Sequence, residues 1–249
     1  MNVRNRLTNL IAKIFTPQAV TRGIDVFDDI ANSFQEYQMK IIFDVGANVG
    51  SAAKTYLAQF PDSHIYCFEP SVDTFRQLQE SLKHNNVHCF QLALGSSNRI
   101  GTMVQQGGSD TFFLLDGTKG STSNNDIPLE SVNIVTLQEF CASKSIQQIN
   151  YLKIDTEGGD LEVLKGSVNM LTEQKIDFVE VEAGMNANNH VHVPFEVLKA
   201  FLESKQYYLF GIYEQVTEWP TNEPHLRRTN SVFISQRMIA IGKKSAKIR

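Results

Sequence analysis

The chain has 249 residues, 42% of them hydrophobic, and 23 basic against 27 acidic residues give a net charge of −4. That length and apolar content suit one domain around one well-filled core. The acidic balance lacks the positive field on which binding to a nucleic-acid backbone relies, so no nucleic-acid partner is expected.

In chain order, Val3, Leu7, Leu10, Ile11 and Ile14 fall on one helical face with basic residues elsewhere. Residues 1–38 therefore form a helical extension, a lid over the domain or an element at a membrane surface. From there, apolar strand runs alternate with amphipathic stretches. Strands are expected at Lys40 to Val45, His64 to Glu69, Val87 to Leu92, Tyr151 to Asp155 and Phe178 to Glu182. Helices fall at Ser51 to Phe60, Ser71 to Asn85, Thr136 to Lys144, Asp160 to Gln174 and Pro194 to Lys205. This alternation is the βαβ pattern of a parallel sheet covered by helices on both faces, so the class is α/β.

Between residues 95 and 132 lies a stretch rich in Gly, Ser, Asn and Asp, with strand-like pieces at Ile100 to Val104 and Phe112 to Leu115. It is read as a substrate-side insertion of short strands and loops above the sheet. Tyr207 to Val216 and Thr229 to Ser235 read as an antiparallel hairpin closing the sheet at residue 236, and the basic stretch 237–249 as a solvated tail. No run reaches the roughly 18 apolar residues of a membrane span, and the first residues lack a cleavable leader pattern. Cys67, Cys89 and Cys141 are odd in number and widely spaced, which fits reduced thiols in a cytoplasm and not a disulfide framework.

The most informative segment is Asp44-Val45-Gly46-Ala47-Asn48-Val49-Gly50, where a buried strand runs into a glycine-bearing turn. In open parallel sheets, ligands bind beyond the carboxyl ends of the strands, where the strand order reverses. Gly46 and Gly50 let the backbone turn tightly there. Glu69, ending the next strand, offers acceptors to both hydroxyls of a ribose. A dinucleotide fingerprint starting at Gly46 demands glycine at 48 and 51, whereas Asn48 and Ser51 stand there. The D-x-G-x-N-x-G pattern is instead a variant of the methyltransferase loop, and it favours S-adenosylmethionine over a nicotinamide cofactor.

Four motifs in order, Asp44 to Gly50, Phe68-Glu69-Pro70, Ala93-Leu94-Gly95 and Leu152-Lys153-Ile154-Asp155-Thr156-Glu157-Gly158, resemble the FkbM-type methyltransferases. One departure is Gly159-Asp160, where the family usually has a small residue followed by Glu. The resemblance implies a single-domain, Rossmann-like class I methyltransferase fold with a mostly parallel seven-stranded sheet over residues 39–236. It also implies S-adenosylmethionine-dependent O-methylation of a sugar, glycan or glycosylated small molecule. By match of motif, Asp44, Gly46, Ala47, Asn48 and Gly50 would hold the methionine end and Glu69-Pro70 the ribose. Ala93 and Leu94, taken to end the third strand, would border the adenine, and Asp155 would adjoin the transferable methyl group.

A hydroxyl acceptor must lose its proton, so a base belongs at the strand ends facing the cofactor. The candidates are Asp155, Glu157, Glu182 and the loop histidines, His190 foremost and His192 two residues on. Carboxylates this close need a counter-charge. Lys153, pairing with Glu180, would supply one in a metal-free site, and a divalent metal on Asp155 and Glu182 would supply the other. Trp219, Tyr207, Tyr208 and Tyr213 are candidates for stacking on a sugar or for filling the hairpin core. The competing readings are O-methylation of a polyketide or peptide, a non-catalytic cofactor-binding module, and an NAD-dependent oxidoreductase. A homo-oligomer is compatible with the sequence.

Overall fold

A computed structural model describes residues 23–105, 112–115 and 129–247. The helix expected at Val3 to Phe15 lies outside them. In chain order the elements are α1 (Val26–Ser33), β1 (Ile41–Val45), α2 (Ser51–Gln59), β2 (His64–Phe68), α3 (Val72–Ser81), β3 (Val87–Phe90), β4 (Ala93–Leu94), β5 (Arg99–Gln105), β6 (Phe112–Leu115) and β7 (Leu129–Val135). They continue with α4 (Leu137–Ser143), β8 (Ile149–Ile154), α5 (Asp160–Lys165), α6 (Val168–Thr172), β9 (Ile176–Gly184), α7 (Phe195–Ser204), β10 (Tyr207–Glu218), β11 (Glu223–Ser235) and α8 (Gln236–Lys247). Seven strands form one sheet in the order β10-β11-β9-β8-β1-β2-β3. The five inner and edge strands β3, β2, β1, β8 and β9 run parallel, and β11 and β10 close the sheet antiparallel. The expected mostly parallel seven-stranded sheet with a terminal hairpin is what forms.

Both faces of this sheet are apolar because its central strands are buried on both sides, as parallel strands are. One face packs Phe43, Phe68 and Leu152 with Phe140 of α4 and Leu198 of α7. The other packs Ile42, Ile65, Tyr151 and Phe178 with Ile30 of α1 and Tyr56 of α2. The strand order reverses between β1 and β8, whose register pairs Asp44 with Lys153 and Val45 with Ile154. That reversal sets the place of the site.

Three details depart from the sequence reading. Ala93 and Leu94 do not end the third strand. After Phe90 the chain leaves the main sheet, and Ala93 and Leu94 pair with Ile134 and Val135 in a second sheet of order β4-β7-β5-β6. The helix expected from Asp160 to Gln174 breaks at Gly166-Ser167 into α5 and α6. A Cβ on Gly166 would stand 2.0 Å from the Gly95 carbonyl oxygen, so the loop after β4 approaches where only glycine fits. Among the described residues, the 95–132 insertion contributes Gly95, Arg99 and Met103 to the smaller of two cavities, on the Glu69 side, and nothing to the larger.

The third departure is the basic C-terminal stretch, which through Lys247 is a helix, docked at its start, and not a free tail. Met238 is buried, and the Arg237 guanidinium donates to Asp177. Asp177, itself buried at the start of β9, also accepts from the Tyr37 hydroxyl, Gln148 Nε2 (2.8 Å) and Asn150 Nδ2 (3.0 Å). A carboxylate so placed ties the segment before β1, the start of β8 and α8 to one point. Asp177→Ala strands those donors, and urea unfolding is expected to show a loss of about 1–3 kcal/mol. An unchanged midpoint would show the cluster to be idle.

Candidate active site

β1 ends at Val45, and the Gly46 and Ala47 N–H groups donate to the Phe68 carbonyl at 2.9 and 3.0 Å, folding the loop over the end of β2. Gly46 has φ +82°, and a Cβ there would lie 1.9 Å from the Asp155 carbonyl oxygen. The ends of β1 and β8 thus meet across a glycine. Asn48 also sits in the left-handed region, at φ +49°, which Asn tolerates better than most residues. Its N–H donates to Glu69 Oε2 at 3.0 Å, and Ser71 N–H donates to Glu69 Oε1 at 3.0 Å. Glu69 is therefore fixed in orientation with acceptor lone pairs to spare. Burial raises its pKa, against the pull of those two N–H groups.

The register sets Lys153 of β8 between Asp44 of β1 and Glu180 of β9. Its ammonium lies 2.8 Å from Asp155 Oδ2 and 3.8 Å from Asp44 Oδ1. Burial works against the Lys153 charge, yet the carboxylates raise its pKa overall. Burial also works against the Asp155 charge, yet Lys153 brings that pKa below the ordinary value. Glu180 takes its hydrogen bonds elsewhere, from the Tyr151 hydroxyl and from Asn230 Nδ2 (2.8 Å), so the expected Lys153–Glu180 pair is replaced by Lys153–Asp155. Asp44 is fully buried, its pKa is raised by burial, and neither carboxylate oxygen has a hydrogen-bond partner in the protein.

Glu182, at the far end of β9, is held from two sides. Arg228 of β11 donates to Oε1, and His192 Nε2 lies 2.7 Å from Oε2. The other ring nitrogen of His192, Nδ1, contacts the Asn189 amide at 2.9 to 3.1 Å, so both nitrogens are engaged. Burial would lower the His192 pKa, but Glu182 outweighs it and the net shift is upward. His190, the histidine put forward from sequence, is exposed and borders the smaller cavity instead.

Glu157 differs from its neighbours. It has φ +51°, its side chain is about 38% exposed, and its nearest cation is His192 Nε2 at 3.6 Å, beyond hydrogen-bond distance. Burial first, and then the charge of Glu182, push its pKa up. A non-glycine residue held in the left-handed region costs about 1 kcal/mol, and such outliers gather at functional sites. Glu157, Glu182 and His192 also offer ligand atoms within 4.8 Å of one another.

Two cavities meet at this point. The smaller, about 430 Å³, is bordered by Glu69, Pro70, Ala93, Leu94 and Glu157. The larger, about 920 Å³, is bordered by Asp44, Ala47, Asp155, Glu182, His192 and Trp219. Gly46, Asn48, Asp155, Glu157 and Val191 border both. Gly50 borders neither. It caps α2 at φ +86° and turns the first residues of that helix, Ser51 and Ala52, toward the larger cavity. Sequence reasoning passed over Arg228 and Asn189, because their roles depend on the long-range register of β11 against β9 and on the turn after β9. The one signal pointing to a cation there is the number of carboxylates on β9.

A sheet of this order, with a glycine turn and an acid on the next strand at its switch point, defines an α/β methyltransferase architecture. The model of the methyltransferase FkbM domain matches residues 44–209, and the chain belongs to that family. Methyltransferases of this family use S-adenosylmethionine. The chain is 27% identical over 165 residues to hexuronic acid methyltransferase AglP of Haloferax volcanii, covering 66% of this chain and 62% of that one. It is 25% identical over 152 residues to 2-O-methyltransferase NoeI of Sinorhizobium fredii, covering 56% and 62%. The chain thus spans about three fifths of the length of these relatives. An FkbM methyltransferase structure from Methylobacillus flagellatus shares the fold, with a TM-score of 0.51 at 14% identity over 88% of this chain and 46% of that one. Among the described residues no helix is long and apolar enough to cross a membrane.

The residues present fit the cofactor. The two orphaned oxygens of Asp44 suit an ammonium group, which a methionine moiety carries. Glu69 suits vicinal hydroxyls, and the close approach at Gly46 leaves the loop backbone bare toward the cavity.

Proposed function

We propose that this protein is an S-adenosylmethionine-dependent O-methyltransferase whose acceptor is a hydroxyl of a saccharide or glycosylated small molecule. The observation that carries the reading is the junction of the two cavities, where Glu157 borders both. The names of the two sugar-modifying relatives support the acceptor class. When bound, the cofactor supplies an electrophilic methyl group on sulfonium sulfur. Asp44, Gly46, Ala47 and Asn48 hold its amino-acid end, and Glu69 with Pro70, Ala93 and Leu94 holds its nucleoside end. Gly50 sets the start of α2 behind the loop.

Glu157 accepts the hydroxyl proton. Of the carboxylates at the junction, Asp155 is tied to Lys153 and Glu182 to Arg228 and His192, so their oxygens are committed. Glu157 keeps its lone pairs, and its raised pKa brings it closer to the working pH, which favours general base action. Asp155 and Glu182 are positioning residues that hold the charge balance around it. His190 sits on the donor side and takes no proton.

Lys153 and Arg228 give Asp155 and Glu182, the two carboxylates a metal would use, their counter-charges, so methyl transfer is expected to continue after EDTA treatment. The assay is transfer of labelled methyl from S-adenosylmethionine to a panel of saccharides, with and without chelator. Loss of transfer restored by a divalent ion would assign a metal to Glu157, Glu182 and His192 instead. No transfer to any saccharide, with transfer to a polyketide hydroxyl, would overturn the acceptor class.

A further inference from the structure

Trp219 opens the turn between β10 and β11 and is about 67% exposed. A lone exposed apolar side chain means little by itself. This one borders the larger cavity, together with Asp155 and His192, and supplies the one indole or phenyl ring in that wall among the described residues. The remaining wall is mostly charged or polar, so Trp219 is its main flat apolar surface.

The ring is held and not merely exposed. The Arg227 guanidinium lies over it, 5.8 Å from the centroid. Arg227 Nη1 donates at 2.8 Å to Glu218, whose side chain is buried, and Glu218 also accepts from Asn186 Nδ2 at 2.9 Å. Asn186 donates to the Leu226 carbonyl as well, and Asn189, which holds His192, donates to the Arg227 carbonyl at 2.9 Å. The turn that carries Trp219 and the loop that carries His192 are therefore one hydrogen-bonded assembly. The guanidinium lies over one face of the indole, and the side chain as a whole stays exposed. The cations bordering the cavity are committed: Lys153 to Asp155, Arg227 to Glu218, Arg228 to Glu182 and His192 to Glu182. The wall is built to receive polar hydroxyls and one apolar ring face, and not to capture an anion.

We infer that the open face of Trp219 is an acceptor subsite that stacks on the C–H face of a pyranose ring. This rests on the sugar-methylation reading above. A pyranose carries axial C–H bonds on one face and hydroxyls at its edge, which matches an aromatic platform ringed by hydrogen-bonding groups. Recognition by ring stacking is largely independent of ionic strength, whereas capture of a uronate by Arg227 would be screened.

The chain has a single tryptophan, so its fluorescence reports this site alone. The protein with S-adenosylhomocysteine bound is titrated with disaccharides of neutral hexoses, amino sugars and uronic acids, with sorbitol as a control that has hydroxyls but no ring face. At least one disaccharide is expected to shift the emission to the blue and shield it from iodide quenching, equally at low and high salt, while sorbitol does neither. Trp219→Ala is expected to raise KM for that saccharide about tenfold with kcat and S-adenosylhomocysteine affinity near wild type, and Trp219→Phe to recover most of the loss. Normal S-adenosylhomocysteine binding with no response to any disaccharide overturns the subsite. So does an equal response to sorbitol, or one confined to uronic acids and abolished by salt. Failure to bind S-adenosylhomocysteine strikes the methyltransferase reading itself.

Discussion

Glu157→Gln is expected to lower kcat by roughly a hundred- to ten-thousandfold, the span that a positioned general base contributes. The affinity for S-adenosylhomocysteine should stay near wild type, because the proposed reading gives nucleoside and methionine recognition to Glu69 and the backbone after β1. The pH profile separates a base from a bystander. The carboxylate must be ionised to accept a proton, so the wild-type rate falls as pH drops through the pKa of Glu157. That pKa is raised by burial and by Glu182, which places the limb above the ordinary glutamate value of about 4.3. The variant lacks this limb. Because the folded state disfavours the ionised form, replacing Glu157 with neutral Gln should not lower the melting temperature. A variant with unchanged kcat would remove Glu157 from the chemistry, and one that simply unfolds would reassign it to structure.

The second large effect is expected at Gly46→Ala. The added Cβ, fixed rigidly to the backbone, would meet the Asp155 backbone carbonyl oxygen at 1.9 Å, just past the ends of adjacent parallel strands. The left-handed conformation alone costs an alanine about 1–2 kcal/mol. Relieving the contact must part β1 from β8 at the switch point, where misplacement by an ångström is worth about a hundredfold in function. Calorimetry is therefore expected to show S-adenosylhomocysteine affinity falling at least about a hundredfold, with urea unfolding shifted to lower concentration. Asn48→Gly is the matched control. It keeps the N–H to Glu69 and relieves the left-handed φ, so its stability should stay within about 1 kcal/mol of wild type. Equal damage from both substitutions would mean that any change in this loop is harmful and that the approach to Asp155 is not special.

The parts of this site legible in sequence are those built by short-range geometry. Ile41 to Gly50 is a strand, a turn and a helix cap in ten residues, and Glu69 follows directly on the very next strand, so pattern alone located both. The parts that were not legible depend on contacts between distant segments. Arg228 reaches Glu182 only because β11 pairs with β9 in a register that sets Asn230 opposite Glu182. His192 faces the larger cavity and His190 the smaller because the turn after β9 is pinned by Asn189, whose side chain donates to the Arg227 carbonyl of β11 and accepts from the Val191 and His192 N–H groups. Ala93 and Leu94 read as the continuation of an apolar strand, yet they belong to a second sheet whose partner, β7, lies some forty residues on. The C-terminal basic stretch looked solvated because its anchor, Asp177, is remote in sequence. Lys153 is the intermediate case. The alternation of β8 put it on the face of Asp155, but its choice of Asp155 over Glu180 follows from Tyr151 and Asn230 having already taken Glu180.

The most direct measurement is a calorimetric titration of the purified protein with S-adenosylhomocysteine and, separately, with NAD. One molecule of S-adenosylhomocysteine bound per chain, weakened by Glu69→Ala, with no heat from NAD, is the predicted result. Binding of NAD with no response to S-adenosylhomocysteine would contradict it.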